Sequence, residues 1–409
     1  MLGKEAGEPV VVVARSQAAE YERIDFRALL SEVLGGLADA GVTLPRSGSA
    51  FIKPNMVISA AATEGVTTDP HFVAGLVALL RENGVSKVYV GDSSAGFLRS
   101  SDAFRRTGLG EAVGAAGGEV VDIDEPTARV RVALPESDIL ESLTVPRRAL
   151  EADCLINFAK LKTHRVGSMT CCVKNWVGFL EQSVRLQNHQ TRLAKLVSEL
   201  HLELPEDLCF ADGAIIGEGD GPDLTKPRFL GTLLASNDPV AIDVIGGELL
   251  GIQRGDLVFP WTAYLDGVGE IDPARIRLVG PRPAEFGIRA EKPVSVLYNR
   301  FPCHVVQGGV CDGCFAWFIG PALFWQRDGI WEKITKRAGT PTVMLGFNAV
   351  DRHFEDHLKE GPYFVIGDCA PAEYRTDSRT VAIPGCCPGP AIPDTILRTC
   401  GVAAEGNGQ

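Results

Sequence analysis

With 409 residues, 45% hydrophobic and 22% charged, the chain has an ordinary globular composition and is too long for one core, since single cores stop growing near roughly 250 to 300 residues. Forty Lys and Arg stand against 52 Asp and Glu, a formal net charge of -12 without a basic run, which excludes a nucleic-acid partner because its phosphates would be repelled. No apolar stretch approaches the roughly 20 residues that cross a bilayer, and residues 1–8 carry no apolar signal core, so the expectation is a cytoplasmic protein with no membrane span.

Strand and helix patterns alternate through the first part of the chain, the signature of a mainly parallel sheet with helices on both faces. Pro9 to Ala14 is a continuous apolar strand, and helical periodicity follows from Phe26 to Ala40. Ser49 to Lys53 is a second strand. From Asp69 to Asn83 a proline opens an amphipathic helix with Phe72, Leu76, Leu79 and Leu80 as its apolar positions. The strand Lys87 to Val90 runs into Gly91-Asp92-Ser93-Ser94. Open parallel sheets hold their ligands at such strand ends, so Asp92 is a site candidate. A helix from Ser101 to Ala116 and strands Glu119 to Asp124 and Cys154 to Ala159 extend the pattern. Pro281-Arg282-Pro283 and Glu291-Lys292-Pro293 have linker chemistry. They set a boundary between residues 1–285, an α/β domain with a basic substrate crevice, and residues 286–409, a smaller α/β domain. In the latter, strands Ser295 to Tyr298, Thr342 to Leu345 and Tyr363 to Ile366 alternate with helical segments.

Eleven cysteines are an odd number, which does not suit a disulfide framework. Several lie on glycine- and proline-bracketed turns: Cys311-Asp312-Gly313-Cys314, then Gly367-Asp368-Cys369, then Pro384-Gly385-Cys386 with Cys387-Pro388. A cubane needs thiolates from separate turns at tetrahedral corners, and Gly313 lets the first loop fold back toward it. The expected metal ligands are Cys311, Cys314, Cys369 and Cys386, around one 4Fe-4S cluster. Cys387 and Cys303 are the other choices for the fourth position. Zinc, a redox disulfide or scattered structural thiols are the other readings of a single C-x-x-C pair.

A second constellation is Lys160-Leu161-Lys162-Thr163-His164-Arg165, followed by Lys174 and Asn175. Placed as the cap of the strand ending at Ala159, its side chains project toward the crevice of Asp92, and a basic pocket in an acidic protein suits a carboxylate or phosphate. A solvated surface loop is the plainer reading. Lys53-Pro54-Asn55 ends another strand with anion-binding groups. Asp212-Gly213 and the glycine-rich run from Gly217 to Pro222, with Glu218, are weaker signals, and Asp238 is equally good as a helix cap.

Taken together, Ile52-Lys53-Pro54-Asn55, Thr67-Thr68-Asp69-Pro70, Val90-Gly91-Asp92-Ser93, Asn157 to His164, Val173-Lys174-Asn175, Asp212-Gly213 and Ser236 to Asp243 resemble the domain-of-unknown-function family 362. Many members of that family carry iron-sulfur centres, usually on a ferredoxin-like tail of closely spaced cysteines, which this chain replaces with a spread arrangement. The Cys-x-x-Cys, Gly-x-Cys and Pro-Gly-Cys order is similar to the cluster surround of hydrogenase small subunits, a resemblance that implies a cluster and not hydrogenase activity. The Lys-Pro-Asn and Gly-Asp strand ends resemble those of two-domain nickel-pincer lactate racemases, whose paired histidines have no obvious counterpart here.

The resulting expectation is a 4Fe-4S cluster-dependent oxidoreductase acting reductively on a small anionic organic substrate. Lys53, Asn55, Asp92, Lys160, Lys174 and Asn175 bind the substrate, and His164 with Lys162 does the proton chemistry. No nicotinamide or flavin fingerprint is visible, so electrons come from a ferredoxin or similar donor. Two other classes stay open: a lyase or isomerase using the cluster as a Lewis acid, and an electron-transfer protein with no substrate of its own. A homodimer is compatible with any of them.

Overall fold

A computed structural model describes residues 7–94, 100–135, 137, 139–164, 167–188, 192–291, 301–307, 312–347 and 349–402. The expected strand Ser295 to Tyr298 and the expected ligand Cys311 lie outside them. The chain forms two compact units, Met1–Arg185 with Arg192–Pro293, and Leu186–Thr191 with Val294–Gln409.

In the first unit, strands β1 (Val10–Arg15), β2 (Ser49–Pro54), β3 (Lys87–Val90) and β4 (Glu119–Val120) precede a separate hairpin of β5 (Arg129–Ala133) and β6 (Ser142–Pro146). Then come β7 (Cys154–His164), β8 (Ser168–Thr170), β9 (Leu208–Asp220), β10 (Leu224–Ser236) and β11 (Arg277–Val279). Nine of these make one sheet in the order β11-β1-β10-β9-β7-β2-β3-β4, with β8 paired to β7. The β9–β10 hairpin, its β10 contact with β1, and β8 are antiparallel, and the other pairings are parallel. Alternate residues of β1 enter different cores, Val11 and Val13 on one face and Val10, Val12 and Ala14 on the other. Burial on both faces is why this strand is a continuous apolar run.

Helix α1 (Phe26–Asp39) buries Leu29, Leu30, Val33 and Leu37, and α2 (Pro70–Glu82) buries Phe72, Val73, Leu76, Val77 and Leu80. Asp25 and Asp69 cap them by accepting from the Ala28 and His71 amides. The single helix expected over 101–116 is two, α3 (Ser100–Arg106) and α4 (Leu109–Ala115), because Gly108 between them takes φ +74. The strand expected over 119–124 has only two paired residues. A short α5 (Arg147–Glu151) leads into β7, after which come α6 (Cys172–Asn175), α7 (Gln182–Asn188), α8 (Leu193–Glu203), α9 (Pro239–Leu250) and α10 (Val258–Leu265).

The second unit holds an all-parallel sheet of β12 (His304–Gln307), β13 (Thr342–Leu345), β14 (Tyr363–Ile366) and β15 (Thr380–Ile383), in that order. Its two central strands are buried throughout, as their apolar runs require. Helices α11 (Asp312–Arg327), α12 (Ile330–Ala338), α13 (Phe354–Glu360), α14 (Ala372–Arg375) and α15 (Ala391–Thr399) complete it.

Candidate functional site

The lysine group is not the cap of a strand ending at Ala159: β7 continues through His164. Along it Lys160, Lys162 and His164 share one face by alternation, and all three are buried, unlike the residues of a solvated loop. Lys160 lies beside Asp212 in the β7–β9 register, and Nζ meets Oδ2 at 2.8 Å with both side chains fully enclosed. The same Asp212 oxygen accepts from the Asp69 amide, and its other oxygen accepts from the Ala214 amide. Burial drives the Asp212 carboxyl upward against the opposing pull of Lys160. After a register shift past Lys160, Lys162 donates to the carbonyls of Val66 and Pro222. Burial, then repulsion from Lys160 and Lys174, lowers the Lys162 ammonium well below the ordinary lysine range.

Lys53, Asn55, Asp92 and Asn175 form a second group. By alternation Lys53 faces the core of Phe51, whereas Lys160 faces that of Phe158, so the two lysines project from opposite faces of the sheet. Lys53 Nζ lies 2.6 Å from Asp92 Oδ1 and donates to Asn175 Oδ1 and the Pro54 carbonyl. Asn55 Nδ2 donates to the same Asn175 oxygen, and Asn175 Nδ2 donates to Asn157 Oδ1. The other Asp92 oxygen accepts from the Met56 amide at 2.6 Å. A Cβ on Gly178 would stand 2.1 Å from Asp92 Oδ1 and 2.7 Å from Lys53 Nζ, so a larger residue there would displace the pair. Buried Arg185 on α7 donates to the Ser93 and Ser94 carbonyls and to Ser93 Oγ, closing the β3 end of the group. Lys174 Nζ sits 5.1 Å over the Phe259 ring.

Buried polar atoms near these strand ends remain unsatisfied among the described residues: Asn55 Oδ1, Ser94 Oγ and Thr170 Oγ1. Each such atom costs about 1–3 kcal/mol, a penalty that a bound polar ligand relieves.

Helix α6, which carries Lys174 and Asn175, is anchored from α9. Asp243 accepts from the Cys172 and Val173 amides at 2.6 and 3.1 Å. Burial raises its carboxyl to about 7, against hydrogen bonds from the Cys171 thiol and those two amides. Cys171, Cys172 and Asp243 bring potential ligand atoms within 4.8 Å of one another. Burial pushes both thiols well above their ordinary range, and the carboxylate is already committed to the helix amides, so the arrangement works as an internal anchor.

In the second unit, Gly313 and Cys314 occupy the first turn of α11 and not a folded-back loop, because the helix begins at Asp312. Cys314 is buried, Cys369 and Cys386 are exposed and Cys387 is half-buried. Gly367, at φ +88 just after β14, brings two of the turns together: a Cβ there would lie 3.4 Å from Cys314 Sγ and 3.5 Å from Cys369 Sγ. Hydrogen bonds from the Gly367 amide to the Ile383 carbonyl, from the Asp368 amide to the Gly385 carbonyl and from the Gly385 amide to Asp368 Oδ1 tie the second turn to the third. Cys387 Sγ accepts from the Gly389 amide. Cys303 is buried near the start of β12.

Sequence reasoning did not assign Asn157, Arg185 or Gly178 to the site. Only Asn157 had a local signal, its place inside the Asn-Phe-Ala-Lys motif. The others come from segments whose packing partners are remote in sequence.

Residues 51–248 match the family described as Domain of unknown function (DUF362). A thylakoid-associated protein of Synechocystis sp. is 28% identical over 295 residues, which cover 70% of this chain and 88% of that protein. Among solved structures, the lactate racemase apoprotein from Thermoanaerobacterium thermosaccharolyticum aligns with a TM-score of 0.40 at 11% identity, covering 98% of this chain and 93% of that one. A Thermotoga maritima protein aligns with a TM-score of 0.37 at 10% identity, covering 90% and 93%. Among the described residues no helix is long and apolar enough to cross a membrane.

Proposed function

We propose that this chain, which combines a DUF362 segment at residues 51–248 with a cysteine-bearing C-terminal unit, is a 4Fe-4S cluster-dependent oxidoreductase acting reductively on a small anionic organic substrate. The observation that carries this reading is the turn at Gly367, where an added Cβ would touch the sulfurs of both Cys314 and Cys369. Two thiols that converge beside the C-terminal ends of parallel strands support such a group, which takes its ligands from separate turns. Cys314, Cys369 and Cys386 would hold it together with Cys311, which lies outside the described residues. A bound cluster supplies electrons one at a time.

In this reading the N-terminal unit does the binding and the proton chemistry. Lys53, Asn55, Asp92, Lys174 and Asn175 hold and orient the anion, with the unsatisfied Asn55 Oδ1 and Thr170 Oγ1 as acceptors for its polar groups, whereas Lys160, on the opposite face of the sheet from Lys53 and committed to Asp212, holds the sheet instead. Lys162 gives up a proton more readily than a surface lysine because burial and neighbouring ammonium groups disfavour its charge. His164, on the same face of β7, is the second proton donor. The electron donor is a ferredoxin or similar protein, in a reducing cytoplasm where disulfides are rare.

The test is anaerobic purification followed by iron and acid-labile sulfide assays and electron paramagnetic resonance of the reduced protein. About four irons with a reduced-cubane signal are expected. Tightly held zinc without sulfide overturns the reading. A thermal-shift screen with small carboxylates and phosphates tests the substrate half. No stabilisation by any of them leaves an electron-transfer protein without a substrate.

A further inference from the structure

Three of the chain's seven histidines meet in the C-terminal unit, apart from the turns that carry Cys369 and Cys386. His353 precedes α13 and His357 lies within it, four residues on, so both project from one side of the same turn. Their ring centroids are 6.0 Å apart and the planes are tilted by 56°. His304, the first residue of β12, stacks on His357 at 4.2 Å and 21°.

Two of the rings are held by carboxylates. Asp351 Oδ2 lies 2.8 Å from His357 Nδ1, and Glu360 Oε2 lies 2.6 Å from His304 Nε2. A carboxylate on Nδ1 fixes the proton there and leaves Nε2 of His357 with its lone pair, the tautomer that binds metals. Asp351 is itself fixed by the Tyr363 hydroxyl and accepts from the His353 amide. The exposed His353 ring makes no hydrogen bond among the described residues. That ring lies one helical turn from His357, with 6.0 Å between their centroids.

We propose that His353 and His357 bind one divalent transition-metal ion of the zinc, nickel, copper or cobalt class, with water completing the coordination. Imidazoles at i and i+4 are a metal-binding spacing, and neutral imidazole suits these ions. Asp351 is a positioning residue that orients His357. His304 is a buttress and not a ligand, because its plane is nearly parallel to that of His357 and one ion does not lie in both planes. The site is separate from the cysteine turns. In an all-parallel sheet every strand starts at one edge, and His304 opens β12 whereas Cys369 follows the end of β14.

The test is titration of the full chain with Co(II), followed by optical absorption and calorimetry. A nitrogen and oxygen site gives weak ligand-field bands, whereas thiolates give intense sulfur-to-cobalt charge transfer. One equivalent bound without charge transfer is expected, retained in Cys369→Ser and lost in His353→Ala and His357→Ala. His353→Ala removes an exposed ring with no hydrogen bonds among the described residues, so its fold is not at risk, and circular dichroism checks the other variant. Asp351→Asn should weaken binding about 10- to 100-fold. Binding that survives both histidine substitutions, or bound cobalt that shows only sulfur charge transfer, overturns the proposal. Unchanged affinity in Asp351→Asn removes the positioning role.

Discussion

Lys160 and Asp212 stand side by side on neighbouring strands and close a 2.8 Å ion pair with both side chains fully enclosed. Removing one member leaves the other charged and buried, which costs about 3–5 kcal/mol. Lys160→Met should therefore lower the urea midpoint of the N-terminal unit strongly. Lys160→Met with Asp212→Leu should recover part of the loss. Equal midpoints for wild type and Lys160→Met would show that the pair does not hold the sheet.

Gly178 presses its α-carbon against the Lys53–Asp92 pair. Gly178→Ala should cost about 1–3 kcal/mol by overpacking, and should displace Lys53 from Asp92. The readouts are thermal melting and the loss of any ligand-induced stabilisation found in the carboxylate and phosphate screen. An alanine variant with unchanged melting and unchanged ligand response would contradict the contact.

Asp243 gives the pH dependence a definite sign. Its folded value, about 7, lies above the 3.8 of an ordinary Asp, so between these values the folded state holds the extra proton. Its contribution is complete below 3.8 and falls as pH rises toward about 7, by at most about 1.4 kcal/mol per pH unit. Asp243→Asn should be less stable overall, having lost one amide acceptor, and should show a flatter profile across this window. Urea melts at pH 4.5, 5.5, 6.5 and 7.5, chosen as roughly even steps across the window, make the comparison. Parallel profiles for the two proteins would refute the assignment.

A side chain at position 367 would touch the sulfurs of Cys314 and Cys369, and φ +88 disfavours any residue but glycine there. If that turn holds the cluster, Gly367→Ala and Cys369→Ser should both lose iron and sulfide while the N-terminal unit keeps its melting behaviour. Comparing Cys386→Ser with Cys387→Ser then identifies the fourth ligand by which variant loses iron. Full iron content in Gly367→Ala would sink the placement.

Much of the fold was legible because it depends on local periodicity. The continuous apolar run of β1, the Asp69-Pro70 opening of α2 and the short buried strands β13 and β14 each announce themselves within a few residues. The split between α3 and α4 was not legible, because both halves carry helical composition and the break rests on one left-handed glycine.

The chain order of residues determined which chemical groups exist: lysines on one stretch of β7, cysteines on three turns, histidines four apart. Pairing in space was decided only by the tertiary structure. Sheet register set Asp212 against Lys160, strand alternation sent Lys53 to the opposite face, and the Gly367 turn drew Cys369 toward Cys314. Burial explains the difference. A lysine's charge follows from its identity, but the loss of water around it and the carboxylate that compensates it depend on strands that the sequence places far apart.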